Sequence, residues 1–235
     1  MGIYAISDLH LSFGVDKPMN IFGIGWENYE DKIAINWKNK VKDTDTVIIP
    51  GDISWGMTLK ETVKDFNYIN DLPGQKIILR GNHDYYFSTV TKLNKFFIEN
   101  NFSSIKILHN NSYEVEDLII CGTRGWGKTE KSDKVLDKKI IAREENRLIL
   151  SLESGLKINE GLENKKKIIV AMHFPPFIGK FCDIMKDYGV SKCIYGHLHG
   201  YGHFMVKEGV IDNIDYKMVS CDYTKFNLTC LTWNK

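Results

Sequence analysis

Apolar residues along the first half of the chain fall into short runs separated by stretches of helical period. Ile3-Tyr4-Ala5-Ile6 reads as a strand over about 3–7. Ile33, Trp37 and Val41, spaced by four with Ala34 and Lys38 alongside, predict an amphipathic helix over about 28–41. A strand at 46–49 follows, and Leu59, Val63, Phe66 and Ile69 then share one helical face that Pro73-Gly74 ends. The run at 75–80 is a third strand, and Val90, Leu93 and Phe97 mark a third helix. Strands alternating with helices in this way pair in parallel through crossovers.

In the second half, runs at 105–108 and 117–122 read as strands. Residues 134–156 carry the longest helical pattern, with Leu136, Ile140, Leu148, Leu152 and Leu156 among its apolar positions. A strand at 167–172 and a short helix at about 180–187 follow. From 193 onward the apolar segments are short and broken by Glu208-Gly209 and Asp212-Asn213, which predicts antiparallel strands closing at Leu228–Trp233. Residues 11–27 fit neither period. Gly14, Pro18, Gly23 and Gly25 alternate there with Phe13, Phe22 and Trp26, as in a substrate-contacting flap or in a packed loop anchored by its aromatics.

The polar residues that follow the strands change the picture. Asp8-Leu9-His10, Gly51-Asp52, Gly81-Asn82-His83-Asp84, His173 and Gly196-His197-Leu198-His199 each come directly after an apolar run. A lone Asp in such a place is an ordinary turn or capping residue. Five segments together, holding five of the seven histidines, point to one site at one edge of a sheet, where open α/β proteins bind their ligands. In extended backbone, residues two apart face the same way, so Asp8 with His10 and His197 with His199 can converge.

Composition narrows the classes. The 235 residues, 43% hydrophobic and 26% charged, suit a globular protein, and no Pro/Gly/Ser-rich linker divides them. Because segments from 8 to 199 must meet, one domain spanning 1–235 is expected. A net charge of +1 gives no nucleic-acid footprint, and Lys165-Lys166-Lys167 reads as a solvated turn. Five cysteines without a Cys-x-x-Cys pair suit reduced thiols in the cytoplasm. The apolar start is short for a signal peptide, and no run reaches the roughly 20 residues of a membrane span.

The ordered blocks resemble the calcineurin-like metallophosphoesterases, whose pattern is Asp-x-His, Gly-Asp, Gly-Asn-His-Asp/Glu, His and Gly-His-x-His. The resemblance implies an α/β fold, a layered α/β/β/α sandwich of two mixed sheets flanked by helices. It implies two divalent metal ions, one held by Asp8, His10, Asp52 and His199, the other by Asp52, Asn82, His173 and His197. A bridging Asp52 carboxylate and a shared hydroxide would reduce the repulsion between ions roughly 3.5–4 Å apart. The oxygen and imidazole ligands suit Mn²⁺ first, with Fe and Zn²⁺ open. His83 matches the family's non-ligand catalytic histidine, with Asp84 expected to orient it and raise its pKa; a structural imidazole is the alternative.

The implied reaction is hydrolysis of a phosphomonoester or phosphodiester by a metal-bridging hydroxide, on a small phosphorylated metabolite or nucleotide. A nuclease with the same metals is the alternative, and a binding protein that kept the fold is a third reading. Arg124 and Lys128, in Thr123-Arg124-Gly125-Trp126-Gly127-Lys128, are either phosphate contacts or part of a surface turn. Trp55, Tyr85 and Phe174 adjoin the ligand loops and are candidates for shaping a pocket.

Overall fold

The computed structural model describes residues 1–127 and 134–232. In chain order its first elements are β1 (Ile3–Ala5), α1 (Tyr29–Lys40), β2 (Thr46–Ile49), α2 (Val63–Asp71), β3 (Gln75–Ile78), α3 (Val90–Glu99) and β4 (Ile105–Ile107). Next come β5 (Tyr113–Val115), β6 (Leu118–Thr123), α4 (Lys134–Glu160), β7 (Lys167–Met172), α5 (Phe181–Asp187), β8 (Val190–Tyr195), β9 (Gly209–Ile211), β10 (Ile214–Met218) and β11 (Thr229–Cys230). Two sheets form, in the orders β11-β1-β2-β3-β4 and β5-β6-β7-β8-β10-β9. Both are mixed: β1 to β4 are parallel with β11 reversed, while β6, β7, β8 and β10 are parallel with β5 and β9 reversed at the edges.

Burial on both faces explains why the strands read as unbroken apolar runs. In β2, Val47 and Ile49 pack with Ile33, Trp37 and Phe66 of the helices, whereas Ile48 faces the second sheet. In β7, Val170 and Met172 meet Leu148 and Leu152 of α4 and Phe181 of α5, whereas Ile169 and Ala171 turn inward. Each such fully buried aliphatic side chain contributes about 1.5–3 kcal/mol. The result is helices, sheet, sheet, helices, the layered arrangement expected. Among the described residues no helix is long and apolar enough to cross a membrane.

The structure departs from the periodicity in particular places. Leu59 lies in turns ahead of α2, and Leu79 and Arg80 leave the sheet after Ile78. The tail is not an antiparallel set. β10 lies parallel to β8 and forms a hairpin only with β9, whose turn residues Asp212 and Asn213 have φ of 50° and 65°. β11 crosses to β1 of the other sheet, and Trp233 lies outside the described residues. Short apolar runs specify strands but not their direction; here the stretch after β8 carries the chain out to β9 at the edge, and the hairpin turn brings β10 back between them, parallel to β8. Within 11–27, Met19–Phe22 and Ile24–Trp26 are 3₁₀ turns. Met19 and Trp26 are buried while Phe22 and Ile24 are exposed, so anchoring and exposed aromatics coexist in this loop.

Beyond β1 the two sheets are tied together. The Ser7 amide donates to the Val219 carbonyl at 2.7 Å, and the Cys221 amide donates to the Ser7 carbonyl at 2.9 Å. The carboxyl ends of strands from both sheets are thereby drawn to one edge.

Candidate metal centre

At that edge the predicted segments meet. Asp8 and His10 follow β1, Asp52 follows β2, Asn82, His83 and Asp84 follow β3, His173 follows β7, and His197 and His199 follow β8. The chain turns abruptly as it leaves these strands. Asp8, His10, Asp52 and His197 have φ of 61°, 46°, 51° and 74°, a region that non-glycine residues adopt mainly where surrounding structure imposes it. Two motif glycines permit close approach of the loops. A Cβ on Gly81 would overlap the amide and carboxylate of Asp52, and one on Gly196 would overlap the carboxylate of Asp8.

Two groups of ligand atoms result. In each of the sets Asp8, His10, His199 and Asp52, His173, His197, one atom per residue lies within 4.8 Å of the others. In the first, His199 Nε2 is 3.5 Å from Asp8 Oδ1 and 3.3 Å from His10 Nε2. In the second, His173 Nε2 is 3.4 Å from Asp52 Oδ2 and 2.7 Å from Asn82 Oδ1. Asp52 Oδ2 also lies 3.9 Å from His10 Nε2, so one carboxylate oxygen faces both groups.

This donor set fits cations. Two ligands each about 2.1 Å from one ion lie roughly 3.0–3.4 Å apart, close to the separations seen. His10 Nε2 and His199 Nε2 point at one another, and His10 Nδ1 is buried without a partner among the described residues. Burial pushes His10 well below the usual imidazole range, His173 down to about 3 and His197 down to about 4, leaving neutral rings with lone pairs to offer. Burial, then the carboxylates of Asp84 and Asp8, pushes Asp52 well above the usual carboxylate range. Three buried carboxylates so close together call for positive charge.

The surrounding groups fix the ligands. His173 Nδ1 is 3.0 Å from the Pro50 carbonyl, which assigns the proton to Nδ1 and leaves Nε2 to face Asp52 and Asn82. Ser220 Oγ donates to Asp8 Oδ2 at 2.7 Å, and the His197 amide donates to the same oxygen at 3.0 Å. Against the cost of burial, the hydrogen bond to His199 and the neighbouring imidazoles hold Asp8 well below its ordinary pKa. Burial opposes the charge on His199 as well, yet the carboxylates of Asp222 and Asp8 lift it to about 10. Asp222 escaped the sequence reading, although Ser220-Cys221-Asp222 also follows an apolar strand end.

Asp84 corrects an expectation. Its carboxylate accepts from the amides of Asp52 at 2.9 Å, Ile53 at 2.8 Å and Gly81 at 2.6 Å, and from the Tyr86 hydroxyl at 3.1 Å. An aspartate in a tight turn readily folds back onto backbone amides, and here it clamps the Asp52 loop to the Asn82 loop instead of orienting His83. The His83 pKa is lowered, by burial and then by Lys17, where an imidazolium had been expected. Its ring lies 4.5 Å from that of Trp55 and 5.6 Å from that of His10, and its amide donates to Asp52 Oδ1 at 2.7 Å. A cavity of about 590 Å³ opens over His10, His83 and His199, walled by Trp26, Trp55 and Tyr201.

Arg124 is not in an exposed surface turn. Its carbonyl accepts from the amides of His173 at 3.2 Å and Phe174 at 3.0 Å, and its half-buried guanidinium lies 3.8 Å from Glu144. Lys128 lies outside the described residues.

Residues 1–201 match the family model for calcineurin-like phosphoesterases, and the chain belongs to that family. The family is one of phosphoesterases, and the clustered side chains include two groups that could each hold a metal ion. The Gene 66 protein of Mycobacterium phage L5 is 39% identical over 80 residues, which span 33% of this chain and 37% of the phage protein. TT1561 of Thermus thermophilus shares the fold at a TM-score of 0.54 and 11% identity, over 97% of this chain and 96% of that one. The protein of unknown function AQ665 from Aquifex aeolicus aligns over 97% of this chain and 95% of its own at a TM-score of 0.49 and 17% identity.

Proposed function

We propose that the protein hydrolyses a phosphomonoester or phosphodiester of a small metabolite or nucleotide at a two-ion centre. The observation that carries this reading is the single Asp52 oxygen facing His173 at 3.4 Å and His10 at 3.9 Å, one from each ligand group. Asp8, His10, Asp52 and His199 would hold one ion, and Asp52, Asn82, His173 and His197 the other. Two divalent ions would supply charge to the phosphoryl oxygens and lower the pKa of the attacking water. Mn²⁺ is our first choice because carboxylate and amide oxygens supply much of the set.

The chain's own groups do the remainder. Asp84 keeps the Asp52 and Asn82 loops in register, so both ligands stay aimed at the same space. His83, which lines the aromatic cavity, would as a neutral imidazole donate a ring N–H to the oxygen that gains charge as the ester is cut. The organic part of the substrate then sits between Trp26 and Trp55, with Lys17, whose ammonium is 3.6 Å from the Trp55 ring, close by. Free thiols at all five cysteines support a reducing cytoplasmic setting.

The test is reconstitution with Mn²⁺, Fe²⁺ or Zn²⁺ and assay of a chromogenic monoester against its diester. Metal-dependent turnover of either supports the reading. Two bound ions with no turnover across a broad phosphoester panel would overturn it.

A further inference from the structure

Next to the Asn82 and His173 loops lies a second cavity of about 370 Å³, outside the ligand set. Arg80, Arg124, Arg147 and His109 line it, against a single carboxylate, Glu144. That carboxylate is fully buried and already engaged. Its Oε1 is 2.7 Å from Arg147 and 3.4 Å from Arg143, and its Oε2 accepts from the Thr123 hydroxyl at 2.9 Å. Arg124 reaches the same Oε1 only at 3.8 Å. Arg80 pairs with no carboxylate among the described residues, and its guanidinium lies 5.9 Å from the Phe87 ring.

The charges do not balance. Three guanidinium groups, those of Arg124, Arg143 and Arg147, share the Glu144 carboxylate, and Arg80 beside them has none among the described residues. The Nε atoms of Arg80 and Arg124 are buried and lack a hydrogen-bond partner among the described residues. A buried donor left unmet is destabilising, the more so when it is charged. A planar guanidinium fork binds a tetrahedral oxyanion through paired N–H donors, and several forks around one cavity suit a phosphoryl group better than a single-point acceptor.

Position ties this cavity to the metal centre. Arg80 directly precedes Gly81-Asn82. The Arg124 carbonyl holds the amides of His173 and Phe174. A group gripped here would lie beside the loops that carry Asn82 and His173, in a cavity that shares no lining residue with the aromatic one over His10 and His199.

We propose that this groove is a second oxyanion subsite, which takes a further phosphoryl group carried by the same substrate whose ester is cut at the metal centre. The proposal rests on the phosphoesterase reading and narrows it to substrates bearing two phosphoryl groups. A free inorganic oxyanion has the same chemistry, and the test separates the two sources.

The metal-loaded full chain is assayed on butyl phosphate and on 1,4-butanediol bisphosphate, as wild type, Arg80→Gln and Arg80→Lys. Sulfate binding to the same three proteins is followed by calorimetry. A charge-assisted contact of about 1.5–3 kcal/mol corresponds to roughly 10- to 100-fold. The wild type is expected to favour the bisphosphate by that factor in kcat/KM. Arg80→Gln should bring the ratio towards one, chiefly through KM, and weaken sulfate binding about tenfold; Arg80→Lys should keep part of both. Equal use of the two esters by the wild type, with sulfate binding still dependent on Arg80, would assign the groove to a free anion and overturn the proposal. An unchanged ratio in Arg80→Gln would also overturn it. If neither ester is cut, the bisphosphate proposal falls while the phosphoesterase reading is decided by the broad panel above, and loss of sulfate binding in Arg80→Gln would still report an oxyanion site.

Discussion

His199 Nδ1 stands 2.9 Å from Asp222 Oδ1, so a residue of the segment after β10 orients a ligand of the loop after β8. The other oxygen of the same carboxylate accepts from the Gly200 amide at 3.4 Å, which holds Asp222 from a second side. A carboxylate behind a ligand imidazole sets its tautomer and raises its basicity.

Replacing that carboxylate should therefore weaken metal binding without unfolding the chain. For Asp222→Asn we expect metal affinity to fall by about 10- to 100-fold, with the melting temperature of the metal-free protein nearly unchanged. Calorimetric titration with Mn²⁺ checks it; an unaltered affinity would mean that Asp222 only packs.

Neighbours in one motif should behave in opposite ways. Asp84→Ala leaves the amides of Asp52, Ile53 and Gly81 without their acceptor, at about 1–3 kcal/mol each, so both stability and metal content should drop. His83→Ala should keep two ions and its melting temperature while turnover falls by roughly 10²–10⁴-fold. Paired denaturation and metal analysis distinguish them, and metal loss in the His83 variant would make that residue a ligand.

Gly81→Ala places a methyl group where the Asp52 carboxylate and amide already sit. Loss of both metal binding and stability is expected, read by metal analysis and thermal melting. A variant that binds metal normally would mean that the loop has room to shift.

Asp65 gives a pH signature away from the ligands. Burial raises its pKa to about 6, despite hydrogen bonds from Ser54 and the Phe13 amide. The folded state holds this proton more tightly than the unfolded chain, so the stability gained from protonation is complete below about 4 and is lost as pH rises through about 6. Asp65→Asn should flatten that slope, gaining about 1–2 kcal/mol relative to wild type between pH 5 and pH 7.5. Urea denaturation at the two pH values measures it, and an identical slope in the variant would assign the pH dependence elsewhere.

The sequence was most legible where burial is symmetric. Runs such as Ile168-Ile169-Val170 announce strands because both faces are covered. The edge strand β5 has no fully buried residue and gave no such signal. The motifs located the side chains that cluster at the sheet edge, since residue type and strand-end position both matter there. They did not disclose what Asp84 touches, because the backbone amides around it, and not its place beside His83, decide where its carboxylate goes. Arg80 sits in the same stretch yet read only as the end of a strand. Its significance depends on Arg124 and Arg147, which adjoin it only once both sheets and α4 are in place.

The central claim is that Asp52 joins two ions into one centre. Electron paramagnetic resonance of the Mn²⁺-loaded protein tests it most directly. An exchange-coupled pair in the wild type that gives way to isolated ions in Asp52→Asn is the expected result. Isolated-ion spectra from fully loaded wild type, or coupling that survives Asp52→Asn, would contradict it.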